Sequence, residues 1–183
     1  AVVNFAHDIN GDDEETKAIV CYEIFLRYYV LGLNFAKSDY AFHTIGSTML
    51  CTPEAYVKVE GMNKRKAAED FYFLEKLAKI YPIGELKSTF VYPSKRSSWR
   101  VPFGTGRSVD RYLSNSRNEY LLYDPKSFIV LKTWLQVFND NSISNQIDLI
   151  RISQNIHPAL SDFLSQQDFG NFINKVLLKN NNP

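Results

Sequence analysis

The chain has 183 residues, 45% of them hydrophobic and 14% aromatic, and a formal net charge of +1. That is enough to bury a core in one domain with a small appendage, and it excludes a global polyanion-binding field, so any affinity for phosphate or nucleic acid must be local. Two cysteines, Cys21 and Cys51, exclude a disulfide scaffold and a zinc site and read as buried free thiols; no basic leader or uninterrupted apolar run of membrane-spanning length is present, which predicts a cytoplasmic chain with no transmembrane segment.

The first residues, Val2 to Phe5, alternate like a strand already under way, ahead of the acidic run Asp12-Asp13-Glu14-Glu15. There is no initiator methionine, and the chain reads as a piece of a longer protein. Ile19, Tyr22, Phe25, Leu26, Tyr29, Leu33 and Ala36 recur at helical spacing over 15–37, with the acidic run opposing the positive end of the helix dipole. The stretch 40–51 is β-prone at both ends with Gly46 between, and reads as strand, break, strand. Thr52 and Pro53 have the form of an N-cap and first helical residue, for a short helix to about 59 that Gly61 ends.

A second clear helix is expected over 66–80, with Phe71, Leu74, Leu77 and Ala78 on one face and Glu69 and Asp70 in its first turn. A strand over 87–92 then runs into a basic loop from Lys95 to Arg107. Helices follow at 126–138 and 143–155, with two more through 157–178, and the tail Asn180-Asn181-Asn182-Pro183 reads as frayed. The expectation is an α+β fold, a few short strands with packed helices, followed by an all-helical C-terminal extension: one portion over 1–107 and the extension over 108–183.

Carboxylates near a cationic, glycine-bearing loop suit transfer from a phosphate-bearing donor, because one part can deprotonate a nucleophile while the other holds a negative leaving group. Glu69 and Asp70 fill the first part; a helix dipole also stabilises such a pair with no catalytic role. Arg96, Arg100 and Arg107, with Gly104 and Gly106, offer guanidinium forks and exposed N–H groups to a diphosphate; a solvated loop with turn glycines is the other reading. His43, just before Gly46-Ser47, is placed to hydrogen-bond an acceptor or a phosphate, or is a satisfied structural residue. Ser47 has no recognisable activating base, so hydrolase chemistry is weakly supported. Trp99 and Phe103 beside basic residues suit base stacking, but the near-neutral charge points away from nucleic acid.

The run His43-Thr44-Ile45-Gly46-Ser47-Thr48 through Tyr56, then Glu60-Gly61-Met62 and Glu69-Asp70, followed by helix, strand and cationic loop, resembles the second half of a bacterial family 2 glycosyltransferase. The resemblance covers roughly 40–107 and implies part of a glycosyltransferase-A fold. It implies Asp70 as the general base that takes a proton from the acceptor hydroxyl, and Glu69 as the group that orients acceptor or base. Inversion would follow from in-line displacement of a nucleoside diphosphate, and the partners implied are a nucleotide sugar and a hydroxyl acceptor. Such enzymes hold Mn or Mg with an Asp-x-Asp motif on an N-terminal nucleotide-binding half. This chain has no Asp-x-Asp, and no metal ligands are identifiable in it, so that half is expected upstream and the chain alone is expected to be inactive. The alternative is a non-catalytic module in which the aromatic helix and the C-terminal helices bind a protein partner.

Overall fold

The computed structural model describes residues 1–64, 67–138 and 146–180. The fold is α+β and mostly helical, and the described residues contain two short strands. They divide into two compact units, residues 1–34 with 39–123, and residues 35–38 with 124–183.

In the first unit β1 (Val2–Phe5) pairs in parallel with β2 (Glu85–Val91). Val2 lies opposite Glu85 and Val3 opposite Leu86; the register then shifts, so that Asn4 faces Phe90 and Phe5 faces Val91. The apolar residues of β1 are buried, whereas β2 is exposed along most of its length. Val2 also bridges to Met49 in antiparallel sense, and the Ala1 ammonium donates to the Leu50 carbonyl at 2.8 Å.

Helix α1 (Glu14–Phe35) starts where Asp13 accepts the Thr16 N–H at 2.8 Å and the Thr16 hydroxyl at 2.7 Å, a side-chain cap on free first-turn donors. It is long and apolar enough to cross a membrane by length and composition. Ala18 and Ile19 are buried against Val109, with Tyr22 and Tyr112 at the margin, whereas Ile24, Leu31 and Phe35 are exposed. α2 (Pro53–Lys58) begins as expected, Thr52 accepting the Ala55 N–H. Its end is set by Glu60 and Gly61, both at positive φ; a Cβ at Gly61 would lie 2.9 Å from the Tyr56 ring.

α3 (Glu69–Ala78) carries the main core, where Phe73, Leu74 and Leu77 pack with Val2 and Val59. Full burial of a side chain such as Leu74 contributes about 1.5–3 kcal/mol. Phe71, expected on the buried face, is exposed, and Phe73 takes that place. The expected helix start at Lys66 lies outside the described residues; among those described, α3 begins at Glu69, after Ala68 at φ +62.

Three expectations are corrected. The stretch 40–51 holds no strand: Gly46–Thr48 is a single 3₁₀ turn, because the N–H and hydroxyl of Thr48 both donate back to the Ile45 carbonyl, at 2.9 and 2.8 Å. The basic loop ends at Gly104, and Gly104-Thr105-Gly106-Arg107 opens α4 (Thr105–Leu113). Cys51 is exposed and Cys21 half-buried, so the thiols are free but not both interior.

The second unit contains α5 (Pro125–Val137), α6 (Gln146–Ile156), α7 (Pro158–Gln166) and α8 (Phe169–Asn180). Asp124 caps α5 through the Lys126 N–H at 2.9 Å, and His157 Nδ1 caps α7 by accepting the Ala159 N–H at 3.2 Å. Trp134, Leu149 and Leu164 form the core. The expected start of α6 at Ile143 and the tail 181–183 lie outside the described residues.

Candidate functional site

The site grows from the first turn of α3. No side chain caps this helix from the residue before it; Asp70 instead accepts the Phe71 N–H on its own Oδ1 at 2.7 Å. The backbone just upstream is strained, since Ala68 sits in the left-handed region that costs an L residue about 1–2 kcal/mol. Asp70 is half-buried, and burial pushes its carboxyl above the ordinary range, further aided by Glu69 and opposed by backbone N–H groups of Phe71 and Gly46. A carboxylate lifted in this way is a better proton acceptor. Glu69 is its helical neighbour, also half-buried.

The 3₁₀ turn lies directly on this carboxylate. A Cβ at Gly46 would stand 3.0 Å from Asp70 Oδ2, so the absence of a side chain lets the turn approach. Ser47 follows it on the same turn, exposed to solvent. Tyr22 of α1 packs at the margin of the Ala18, Ile19 and Val109 cluster. Burial raises its phenol, Thr105 draws it down, and the charge of Asp70 adds to the rise.

Gly104 has φ +94 and ψ −178, a region open in practice only to glycine. Gly106 is required by proximity, because a Cβ there would lie 2.6 Å from Ser98 Cβ, and its carbonyl accepts the Ser98 N–H at 2.9 Å. The loop 94–103 therefore lies against the α4 N-terminus.

The cations of this segment divide into two kinds. Arg107 is engaged by Asp110 within α4, and Lys95 donates to Thr16 Oγ1 at 2.5 Å beside Asp13, 3.6 Å away. Arg96 and Arg100 are exposed, and their guanidinium groups make no ion pair among the described residues. Arg96 and Arg100 are thus the two available to an anion.

The His43 ring packs edge-on against Phe5 with centroids 5.0 Å apart, and its Nδ1 is buried without a hydrogen-bond partner among the described residues. Burial lowers its pKa, with help from Arg27. Phe5 also packs on His7, which carries no pattern in the sequence yet is 4% exposed. His7 Nδ1 and N–H both meet Glu23 Oε1 at 2.8 Å, and Arg27 holds Glu23 Oε2 at 2.5 Å. Burial alone would raise the Glu23 carboxyl; the His7 hydrogen bonds and Arg27 outweigh it and hold the carboxyl below its ordinary value.

The acidic run does not fit a divalent metal. Asp13 is the α1 cap, its pKa held down to about 2 by its Thr16 hydrogen bonds, and Asp12 and Glu14 both face Lys17. Among the described residues no three His, Cys, Asp or Glu side chains converge on a point, as a hard cation requires.

Sequence reasoning missed Tyr22 and Thr105. Tyr22 follows Ile19 on the apolar stripe of α1, and nothing in its spacing separates it from core. The Glu23/Arg27 pair at helical i,i+4 spacing was the one visible signal for the buried cluster. No protein-family model, curated protein or solved structure matches this chain.

Proposed function

We propose that this chain is the acceptor-side, base-bearing portion of an inverting glycosyltransferase of family 2 type, with a partial glycosyltransferase-A-like fold. It would transfer a sugar from a nucleotide-diphosphate donor to a hydroxyl acceptor. The observation that carries the reading is Asp70: a half-buried carboxylate with a raised pKa, at a strained helix start, with the glycine turn of 46–48 pressed against it. In this reading Asp70 takes the proton of the acceptor hydroxyl as that oxygen bonds to the anomeric carbon. The bond from that carbon to the diphosphate oxygen breaks, and the nucleoside diphosphate leaves with the electron pair. Arg96 and Arg100 supply the free guanidinium groups for the leaving charge, whereas Arg107 is already engaged. Glu69 keeps the orienting role beside Asp70.

The test follows nucleoside diphosphate release from a panel of sugar nucleotides, with Mn or Mg present, by the natural full-length polypeptide and its Asp70→Asn variant. Loss of a general base lowers turnover by roughly 10²–10⁴-fold. Release by the parent with that loss in a folded variant supports the assignment. No release by a folded parent from any donor overturns it in favour of a non-catalytic helical module, for which the exposed Ile24 and Leu31 on α1 are the supporting observation.

A further inference from the structure

A hollow of about 440 Å³ lies among the last turn of α4, the loop 114–120 that follows it, and the first residue of α1. This is within the range of small-molecule sites, roughly 300–1,000 Å³. None of its lining residues belongs to the Asp70 site.

One of its polar groups is held in place before any ligand arrives. Glu119 accepts Arg111 Nε at 2.7 Å and Nη2 at 3.3 Å, and it also accepts the hydroxyl of Ser108, which is 2% exposed. Burial would raise the Glu119 carboxyl, but Arg111, Ser108 and Arg117 together keep it below its ordinary value, hence ionised and an acceptor. Beside it, Asn118 Oδ1 accepts the Tyr120 N–H at 3.0 Å, which leaves the amide NH₂ as a donor. Arg117 makes no hydrogen bond or ion pair with any described residue. Tyr112 and Tyr120 add aromatic surface, with ring centroids 5.8 Å apart and hydroxyls 2.9 Å apart.

With their paired neighbours counted, the charges at the lining cancel: Glu119 is matched by Arg111, Glu14 shares Lys17 with Asp12 at 2.8 and 3.7 Å, and Arg117 balances the carboxylate left over. A cationic ligand finds no uncompensated carboxylate, and a polyanion finds one arginine. What remains is a fixed acceptor, two kinds of donor and aromatic faces. Hydroxyl groups, which both donate and accept, suit the first two, and C–H faces suit the third.

We propose that this hollow binds a neutral saccharide, its hydroxyls held by Glu119, Asn118 and Arg117 and its C–H face set against Tyr120. The site is independent of glycosyl transfer, and it stands or falls separately from the role of Asp70.

The experiment is amide NMR of this chain titrated with methyl glucoside, methyl galactoside and N-acetylglucosamine, with glucuronate, inorganic phosphate and choline alongside. Expected is a saturable shift of amides within 112–120 by at least one neutral saccharide. In Tyr120→Ala the affinity falls about tenfold or more. The variant's fold survives, since Tyr120 is 69% exposed. Arg117→Ala, which removes a side chain with no hydrogen bond or ion pair among the described residues, weakens binding as well. The proposal is overturned if no neutral saccharide shifts those amides, if only glucuronate or phosphate does so, if only choline does so, or if Tyr120→Ala binds as well as the parent.

Discussion

Gly106→Ala tests whether the cationic loop lies against a helix or stands free in solvent. The new Cβ would be 2.6 Å from Ser98 Cβ, about 0.8 Å short of ordinary contact, with Ser98 N at 3.2 Å and the Arg96 carbonyl at 3.3 Å behind it. Overpacking of this kind costs about 1–3 kcal/mol. Replacing Gly by Ala in a helix interior returns at most about 1 kcal/mol, and less in a first turn, so destabilisation wins by about 1–2 kcal/mol. Ser98→Gly removes the one side-chain atom in the way and leaves only backbone contacts that need to yield a few tenths of an ångström. The double variant should therefore recover most of the loss, a coupling of about 1–2 kcal/mol. Gly84→Ala is the control, because nothing lies within 4 Å of its Cβ position and it should be neutral or slightly stabilising. Urea unfolding of the parent, the three single variants and the double variant reads all of this. A Gly106→Ala protein as stable as its parent, or a coupling near zero, would show that the loop does not contact α4 and would remove Arg96 and Arg100 from the site.

Three further outcomes follow from the same geometry. The folded-state pKa of Asp70 is raised, so ionisation opposes folding: stability falls as pH rises from the ordinary carboxylate pKa through the raised one. Asp70→Asn should match its parent in acid and exceed it at neutral pH, by thermal melting; a variant less stable at neutral pH refutes the burial argument. Glu23 has the opposite sign: its folded pKa is lowered, so its contribution is present above the ordinary carboxylate range and lost as pH falls through the lowered value. Glu23→Gln should be less stable at neutral pH and show a shallower acid limb in urea midpoints, and an unchanged acid limb counts against the His7 cluster. Ala68→Gly relieves a left-handed residue and should raise the urea midpoint by an amount equivalent to about 1 kcal/mol; a lower midpoint means the strain is not there.

Much of the fold could be read from local chemistry. Thr52-Pro53 marks a helix start because an accepting oxygen and a fixed φ both act within one turn, and Thr52 indeed accepts the Ala55 N–H. The α1 stripe and the 126–138 segment were visible by period. Failures occur where distant contacts decide. Gly104 and Gly106 have the composition of a loop, and only the approach of Ser98 explains a glycine inside a helix. The β-prone residues of 40–51 had no strand to pair with beyond Met49, and Thr48 turned its donors back on Ile45 instead. At the site, Glu69 and Asp70 were legible as a first-turn pair, but the half-burial of Asp70 comes from Gly46 and from residues far off in sequence. His7 gave no signal, since a buried histidine is defined by Glu23, well inside another element, α1.

The parallel pairing of β1 with β2 also sets an order of events during synthesis. Val2, Val3 and Phe5 leave the ribosome well ahead of their partners, Glu85 to Val91, which arrive only after α1, α2 and α3 have been made. A hairpin could close at once; a crossover of this length must wait, and its closure entropy grows with the intervening chain. The three apolar side chains of β1 thus stay without their sheet partner for as long as it takes to make the three helices between the strands.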